Sequence, residues 1–212
     1  MSEKILVTGG TGYIGSHTVV ELQNSGYEVV IVDNLSNSRA DVVDNIEKIS
    51  GIRPAFEALD CLDYEGLDAL FTKYKGIKGI IHFAASKAVG ESVAEPIKYY
   101  RNNLVSFLNI LEVAKAHGGC NVLFSSSATV YGEAENLPVT EQTPRLPATS
   151  PYGNTKQMCE DILRDVVAAT AAKDGEIKGI ALRYFNPIGA HPSALIGELP
   201  RGVPNNLVPF IT

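Results

Sequence analysis

Six short segments rich in apolar and β-branched residues recur along the 212-residue chain, separated by stretches in which apolar residues recur at helical spacing. The six segments are continuously apolar rather than alternating, which is typical of parallel strands buried on both faces. The pattern therefore predicts an α/β fold, a doubly wound parallel sheet of Rossmann type with helices on both faces. The predicted strands are Lys4 to Thr8, Glu28 to Asp33, Ala55 to Leu59, Gly79 to Ala84, Asn121 to Ser126 and Lys178 to Tyr184.

The residues that follow the predicted strands should share one edge of the sheet. In parallel sheets the carboxyl ends of the strands meet at one edge, and ligands bind there. We therefore expect a single binding rim built from Gly9 to Gly12, Asp33 and Asn34, Asp60 and Cys61, Ala84 to Lys87, Ser125 to Ser127, and Tyr184 to Asn186.

The first of these segments is rich in glycine and lies between a predicted strand and a predicted helix. Glycines at positions 9, 10, 12 and 15 lack a Cβ, so the backbone can turn sharply and approach a pyrophosphate closely. Free N–H groups at the start of the helix, together with the helix dipole, favour an anion there. In this context the loop predicts a dinucleotide site rather than a plain turn.

Two acidic residues on the expected rim bear on the choice of cofactor. Asp33 ends the second strand about twenty residues beyond the glycine loop, where a carboxylate accepts both ribose hydroxyls and repels a 2′-phosphate. NAD is therefore favoured over NADP, the alternative being that Asp33 is a surface turn residue before Asn34. Asp60 either meets the adenine edge or caps the helix that begins near Asp63, and the sequence leaves both interpretations open.

Two predicted helices carry apolar stripes that are wider than a single contact with the sheet requires. One helix runs from Pro96 to His117, and the other begins at Pro151 after a proline-containing loop from Gly132 to Ser150. The excess apolar surface predicts a homodimer formed by paired helices, although burial under further chain would explain it equally well. The stripes consist of Leu104, Phe107, Leu108, Leu111 and Ala114, widened by Ile110 and Val113, and of Met158, Cys159, Ile162, Leu163, Val166 and Val167.

Tyr152 and Lys156 lie four residues apart on the second of these helices, so their side chains share one face. A tyrosine becomes a base near neutral pH only if its pKa falls by about three units, which costs about 4 kcal/mol. An ammonium at about 4 Å supplies roughly that energy at an effective dielectric constant of about 20. Ser127, after the fifth strand, could hydrogen-bond the oxygen whose proton Tyr152 moves. The pair alone could equally be an ordinary exposed tyrosine and lysine, but with a dinucleotide fold the three residues predict hydride chemistry at a carbinol carbon.

Composition narrows the class of protein. With a net charge of -6 and no basic run, the chain is not expected to bind nucleic acid. Three isolated cysteines and four scattered histidines predict reduced thiols and no metal site. No apolar run approaches about 18 residues and no signal peptide is recognised, so we expect a cytoplasmic protein without membrane contact.

Several segments resemble the nucleotide-sugar epimerases of the extended short-chain dehydrogenase/reductase family, and together they cover essentially the whole chain. The glycine loop and the serine-rich strand are typical of the broad family, whereas the segment around Lys87 and the Phe-Asn-Pro to Asn-Asn-Leu stretch are typical of the epimerases. Ala85 and Ser86 depart mildly from the pattern before this lysine. The matching segments are Leu6 to Thr18, Asp33 to Ser38, His82 to Ala84, Lys87 to Ser92, Phe124 to Gly132, Pro151 to Gly153, and Leu182 to Pro187 continuing to Asn205 to Leu207.

The resemblance implies an NAD-dependent enzyme that interconverts UDP-galactose and UDP-glucose at C4 through a transient 4-keto sugar. It implies that Tyr152 is the base, that Lys156 binds the nicotinamide ribose and lowers the pKa of the tyrosine, and that Ser127 assists. The implied contacts of the UDP-hexose are Lys87, Ser127, Tyr152, Asn186, Asn206 and Leu207. The implied contacts of the cofactor are Gly9, Gly12, Tyr13, Ile14, Gly15, Asp33, Asn34, Asn37, Asp60, Cys61, Phe83, Ala84, Lys87, Asn102, Ser125, Tyr152, Lys156 and Tyr184.

The same resemblance divides the chain into an NAD-binding domain, residues 1–187, and the beginning of a sugar-nucleotide-binding domain, residues 188–212. Because the chain ends within an apolar run, we expect a truncated second domain and a fragment that is itself inactive. Two alternatives stay open: an epimerase of another nucleotide sugar, such as a UDP-N-acetylhexosamine, and a non-catalytic NAD-binding fragment. A 4,6-dehydratase is disfavoured because Ala128 and Thr129 stand where elimination needs an acid and a base.

Overall fold

The computed structural model describes residues 2–199 and contains, within that range, one sheet of six strands. They are β1 (Lys4–Thr8), β2 (Glu28–Asp33), β3 (Ala55–Ala58), β4 (Ile77–His82), β5 (Asn121–Ser127) and β6 (Lys178–Tyr184). All neighbouring strands are parallel, in the spatial order β3, β2, β1, β4, β5, β6. The chain thus winds outward from β1 in one direction and, after crossing to β4, in the other. This arrangement confirms the predicted doubly wound α/β architecture.

Helices connect the strands and cover both faces of the sheet. In the described part of the chain they are α1 (Tyr13–Asn24), α2 (Val42–Ser50), α3 (Tyr64–Lys73), α4 (Val89–Ala94), α5 (Pro96–Ala116) and α6 (Pro151–Thr170). A short 3-10 helix, Ala128–Tyr131, follows β5. Ser150 caps α6 by accepting a hydrogen bond from the N–H of Gly153. Within residues 2–199, none of the helices is both long and apolar enough to cross a bilayer.

Each face of the sheet has its own apolar core, because successive strand residues point to opposite sides. Leu6 packs in the cluster beneath α3, α5 and α6, together with Phe107 and Leu163. Val7 packs in the opposite cluster, beneath α1 and α2, together with Val20. The strands are parallel and paired along their length, so their carboxyl ends form a common rim.

The predicted fourth strand, Gly79 to Ala84, is wrong by two residues at each end, since β4 runs from Ile77 to His82. The ladder with β1 starts earlier, across an irregularity in register, and the chain leaves the sheet after His82. One hydrogen bond continues the ladder, from the N–H of Phe83 to the carbonyl of Thr8 at 3.0 Å. Three other predicted element ends differ from the observed ones by one residue. Strand β3 ends at Ala58 rather than Leu59, and α5 ends at Ala116 rather than His117. Strand β5 ends at Ser127 rather than Ser126, because Ser127 pairs with Tyr184.

The wide apolar stripes of α5 and α6 are only partly buried. On α5, Phe107 and Leu111 lie in the core, whereas Leu108 is 44% exposed. On α6, Leu163 is buried, whereas Met158 is 39% exposed. The two helices also pack against each other on the same face of the sheet. Part of their apolar surface is therefore not covered by the described chain.

A largely buried ion pair ties the last two strands to α6. The carboxylate of Glu160 accepts two hydrogen bonds from Arg183, at 2.9 and 2.8 Å, and one from the hydroxyl of Ser126 at 2.6 Å. The Arg183 guanidinium lies 4.8 Å from the centre of the Tyr131 ring. Burial acts to raise the pKa of Glu160, but the hydrogen bonds from Arg183 and Ser126 and the charges of Arg183 and Arg145 lower it overall. The pair therefore fixes the end of β5 relative to α6.

Glu160→Gln should destabilise the protein by about 3 kcal/mol near neutral pH, because it leaves Arg183 without its charge partner. The lowered pKa means that the stabilisation is complete above the unfolded-state pKa, about 4.3, and is lost as the pH falls through the lower folded-state pKa. Urea denaturation should therefore show a difference in unfolding free energy that is large at pH 7 and smaller at pH 3. The exposed substitution Glu21→Gln should change stability by less than about 0.5 kcal/mol. A difference that does not depend on pH would contradict this assignment.

Candidate active site

The glycine loop between β1 and α1 lies against the segment that follows β4. Gly9 has a φ of +69°, and a Cβ at this position would lie 2.9 Å from the backbone nitrogen of Ala84. A Cβ on Gly15 would clash with the carbonyl oxygen of Gly9 and lie 2.8 Å from the Cα of Gly10. Glycine is required at these two positions because backbone passes directly against backbone.

Helix α1 begins at this loop and directs its N-terminus toward the rim. Its N-cap residue is Gly12, and no side chain in the described part of the chain caps it. The first helical hydrogen bond runs from the N–H of Ser16 to the carbonyl of Gly12 at 2.9 Å. The N–H groups of Tyr13, Ile14 and Gly15 therefore lack partners within the helix. These groups and the helix dipole create a site suited to an anion.

Asp33 is buried at the end of β2, with only 9% of its surface exposed, so it is not the surface turn residue that the sequence allowed. Its Oδ2 accepts a hydrogen bond from the N–H of Thr11 at 3.2 Å. Its Oδ1 accepts hydrogen bonds from the N–H of Leu35 at 2.9 Å and from the hydroxyl of Ser38 at 3.0 Å. The hydroxyls of Thr11 and Ser38 are 2.6 Å apart. Sequence reasoning placed Thr11 on the rim but missed that Thr11 and Ser38 orient the carboxylate, because hydroxyl residues are common in loops.

Asp60 and Asn34 lie side by side beyond β3 and β2. The side-chain amide of Asn34 donates a hydrogen bond to Oδ2 of Asp60 at 2.9 Å. Oδ1 of Asp60 accepts a hydrogen bond from the N–H of Leu62, also at 2.9 Å. Capping of α3 by Asp60 is wrong, because Asp63 accepts the hydrogen bond from the first turn. Burial raises the pKa of the Cys61 thiol to about 12, so this thiol stays protonated. Asn37 is exposed on the loop after β2.

The segment after β4 brings further predicted residues to the same edge. The ring of Phe83 lies 6.2 Å, centre to centre, from the ring of Tyr184 at the end of β6. The Lys87 side chain is 56% exposed, and its ammonium lies 3.6 Å from Glu198, a neighbour for which the sequence carried no signal. The lysine end of this pair is exposed, so a ligand can reach the ammonium. Asn102 is half-buried on α5.

Lys156 is almost fully buried on α6, with 4% of its surface exposed. Its ammonium donates a hydrogen bond to the carbonyl oxygen of Ser125 at 2.7 Å and lies 4.8 Å from the centre of the Phe124 ring. The ammonium is 5.7 Å from the centre of the Tyr152 ring, so the two side chains share one face of the helix, as the spacing predicted. Burial lowers the pKa of Lys156 to about 8.

Ser127 lies beside Tyr152 at the end of β5. Its hydroxyl accepts a hydrogen bond from the N–H of Thr129 at 3.2 Å. Ser127 as a whole is 8% exposed. Burial raises the pKa of Tyr152, and a hydrogen bond with Ser127 acts in the opposite direction. The lysine ammonium is hydrogen-bonded to the strand carbonyl of Ser125 rather than to the phenol, and the pKa of Tyr152 is raised overall. The three predicted catalytic residues are nevertheless together.

The predicted sugar contacts lie only partly within the described chain. Asn186 is exposed two residues beyond β6. Asn206 and Leu207 lie outside the described residues. Among residues 2–199, no group of three or more acidic, histidine or cysteine side chains is arranged to hold a metal ion.

The segment after residue 188 folds back toward α1 and α2. The hydroxyl of Tyr13 donates to the carbonyl of Gly189 at 2.6 Å, and the amide of Asn45 donates to the carbonyl of Leu195 at 3.1 Å. Ile196 is buried in the core beneath these two helices. The segment therefore lies next to the start of α1, at the rim of the sheet.

Lys156→Met should raise the free energy of unfolding at pH 7, because methionine fills the buried site without bringing a charge into it. A pKa lowered from 10.5 to about 8 corresponds to a cost of about 3 kcal/mol for the buried ammonium. Below pH 8 the lysine is protonated in both the folded and the unfolded protein, so the cost is fully present, and it disappears as the pH rises toward 10.5. Urea denaturation at pH 7 and at about pH 10 should show a stability gain that shrinks with pH.

The exposed substitution Lys78→Met should show no such trend with pH. A methionine variant that is less stable than the parent at pH 7 would contradict this account, since the hydrogen bond to Ser125 would then outweigh the cost of burying the charge.

Comparison with known proteins places this site in a family. Residues 5–207 match the NAD dependent epimerase/dehydratase family. The UDP-glucose 4-epimerase of Bacillus subtilis is 54% identical over 98% of this chain, which corresponds to 59% of that relative. The UDP-glucose 4-epimerase of Homo sapiens is 47% identical over 100% of this chain and 61% of its own length.

A solved structure shows the same architecture. UDP-glucose 4-epimerase from Bifidobacterium longum, crystallised in complex with NAD+ and UDP, matches with a TM-score of 0.92 and 47% identity over 98% of this chain. The chain spans 59% of the Bacillus subtilis relative and 61% of the Bifidobacterium longum structure. With a match to the family over nearly its whole length, the chain belongs to the NAD dependent epimerase/dehydratase family.

Proposed function

We propose that the whole protein interconverts UDP-galactose and UDP-glucose by epimerisation at C4, using bound NAD. The observation that carries the proposal is the grouping of Ser127, Tyr152 and Lys156 at the end of β5, on the same edge of the sheet as the glycine loop. Relatives that are 47% and 54% identical are named UDP-glucose 4-epimerase, which supports this choice of reaction.

The glycine loop and Asp33 fit a dinucleotide. Gly9 packs against the segment after β4 and Gly15 packs against the loop, so neither position has room for a side chain, and the N–H groups at the start of α1 suit a pyrophosphate. The oriented carboxylate of Asp33 suits ribose hydroxyls and repels a 2′-phosphate, which favours NAD over NADP. When bound, NAD supplies the acceptor for the hydride from C4 and the donor that returns it to the sugar.

The remaining chemistry falls to the chain's own side chains. Tyr152 accepts the proton of the sugar 4-hydroxyl as C4 is oxidised, and returns it when C4 is reduced on the other face. Ser127 hydrogen-bonds the same oxygen, and Lys156 holds its positive charge 5.7 Å from the tyrosine ring. A tyrosine whose pKa is raised by burial needs such positive charge nearby to act as a base near neutral pH. Proton transfer of this kind contributes about 10²–10⁴-fold to the rate.

The rest of the proposed site follows the sequence predictions. Lys87, Asn186, Asn206 and Leu207 are proposed contacts of the UDP-hexose, and residues 188–212 the start of the domain that binds it. A dehydratase stays disfavoured, since Ala128 and Thr129 offer no acid or base. We also propose a cytoplasmic location, supported by cysteines that are unpaired in the described chain.

Tyr152→Phe in the whole protein should lower kcat for UDP-galactose by about 10²–10⁴-fold, because the proton of the 4-hydroxyl then has no acceptor. Formation of UDP-glucose, followed by a coupled assay, measures the effect. The distant variant Tyr27→Phe, on the loop before β2, should retain the parent's activity. If Tyr152→Phe retained most of the activity, Tyr152 would not be the base. A protein that holds NAD but epimerises neither UDP-galactose nor a UDP-N-acetylhexosamine would instead be a binding module.

We propose that the whole protein is a homodimer formed by α5 and α6, supported by the exposed apolar side chains Leu108 and Met158. Sedimentation equilibrium at micromolar concentration should then give the mass of a dimer. Leu108→Asp combined with Met158→Asp should shift it to monomer, because two carboxylates would face an apolar interface. Ile52→Asp, at a more exposed apolar position on neither helix, should leave the dimer intact. A parent protein that is monomeric under these conditions would overturn the proposal.

A further inference from the structure

Glu198 places a negative charge beside two features of the rim that are suited to anions. One is the N-terminus of α1, which favours an anion through its N–H groups and its dipole. The other is the ammonium of Lys87, and the carboxylate of Glu198 lies 3.6 Å from it. The glutamate side chain is 17% exposed and the lysine side chain is 56% exposed. The carboxylate is therefore the more buried member of this pair, and the ammonium is the member that a ligand can reach.

The chain just before Glu198 is fixed to α1 and α2 by contacts that do not involve Lys87. Ile196 is 3% exposed and packs in the core beneath these two helices. The carbonyl of Leu195 accepts a hydrogen bond from the side-chain amide of Asn45 at 3.1 Å. Since two residues of chain span at most about 7 Å, the carboxylate has to stay near this anchor when the flexible lysine moves.

The carboxylate also acts on the start of α1. Burial raises the pKa of the Tyr13 hydroxyl, and the negative charge of Glu198 raises it further. The same hydroxyl donates a hydrogen bond to the carbonyl of Gly189 at 2.6 Å, which holds the beginning of the segment against α1. The carboxylate thus lies close to groups on two elements of the rim, the start of α1 and the segment after β4.

We propose that Glu198 competes with the phosphate groups of the UDP-hexose for Lys87 and thereby weakens the binding of that ligand. The inference rests on the proposed epimerase function, in which Lys87 contacts the UDP-hexose. An ammonium that is drawn toward a phosphate loses attraction to a carboxylate that cannot follow it. The lysine–phosphate contact therefore contributes less to affinity than it would without Glu198.

Weaker binding of the UDP group suits the proposed reaction. The substrate and the product differ in configuration at one carbon and carry the same UDP group, so a contact with the phosphates stabilises substrate, transition state and product alike. Such uniform binding lowers KM without raising kcat, and it slows the release of product. Glu198 limits this uniform binding at Lys87, and it does so without taking part in proton transfer.

The test measures the Kd of UDP for the whole protein, purified with its cofactor, by isothermal titration calorimetry. Glu198→Gln removes the charge with little change of shape and should lower the Kd about threefold or more. Glu198→Ala should lower it as well, which separates loss of the carboxylate from gain of an amide. In both variants KM for UDP-galactose should fall while kcat does not rise.

Two further variants test the route through Lys87. Glu21→Gln makes the same change of net charge at an exposed position of α1 and should leave the Kd of UDP within about twofold of the parent value. Lys87→Gln should weaken the binding of UDP. When Glu198→Gln is added to Lys87→Gln, the Kd should change by less than about twofold, because the amide carries no charge for the carboxylate to compete for.

The sign of the change separates competition from a structural role. If Glu198→Gln and Glu198→Ala bind UDP with the parent's Kd or more weakly, the proposal is wrong, since a carboxylate that merely holds the segment or the lysine in place predicts weaker binding on its removal. A gain in affinity that is equally large in the Lys87→Gln background would overturn the action through Lys87.

The proposed function is tested separately by turnover. If the protein forms no UDP-glucose from UDP-galactose but Glu198→Gln still tightens the binding of UDP, the epimerase function fails and the competition stands. If the protein is an active epimerase and the Kd of UDP is unchanged in Glu198→Gln, the competition fails alone.

Discussion

The site depends on two places where the backbone passes directly against another stretch of backbone. At Gly9 the glycine loop touches the segment after β4, and at Gly15 helix α1 touches the loop that precedes it. Any Cβ at either point would push these segments apart. The anion-binding end of α1, the orienting contacts of Asp33 and the position of Lys87 all follow from this close approach. One steric constraint thus determines where a cofactor fits and which side chains surround it.

The proposed chemistry at this rim uses a buried charge that stability alone would not favour. The buried ammonium of Lys156 costs free energy at neutral pH, and the fold compensates by giving it a strand carbonyl and an aromatic face. Nearby, the Glu160–Arg183 pair provides stability that depends on ionisation. Two charged groups on α6 and its neighbours therefore have opposite effects on stability. The ion pair supports the geometry of β5, and the ammonium is the charge that the proposed proton transfer needs.

The parts of this fold that the sequence predicted are those governed by local pattern. Continuous apolar runs predicted the strands, and the glycine loop and the Tyr152–Lys156 spacing predicted side chains that the fold brings to one edge. The fourth strand was misplaced because apolar Phe83 and Ala84 extend the run beyond the last ladder residue. The hydrogen bond between the buried side chains of Asn103 on α5 and Thr155 on α6, at 3.1 Å, escaped notice because it is a tertiary contact. Nothing in a single sequence shows which buried polar residues face each other.

The position of β5 in the sheet has a consequence for how the protein is made. Ser125 and Ser127 lie on this strand, and β6 pairs with it from Asn121 to Ser127. Until the ribosome has delivered residues 178–184, β5 is an unpaired edge that carries the apolar residues Val122 and Phe124. Such an edge is a template for association with other nascent chains. Strand β5, which carries Ser125 and Ser127 to the rim, is thus also an edge that needs protection during synthesis.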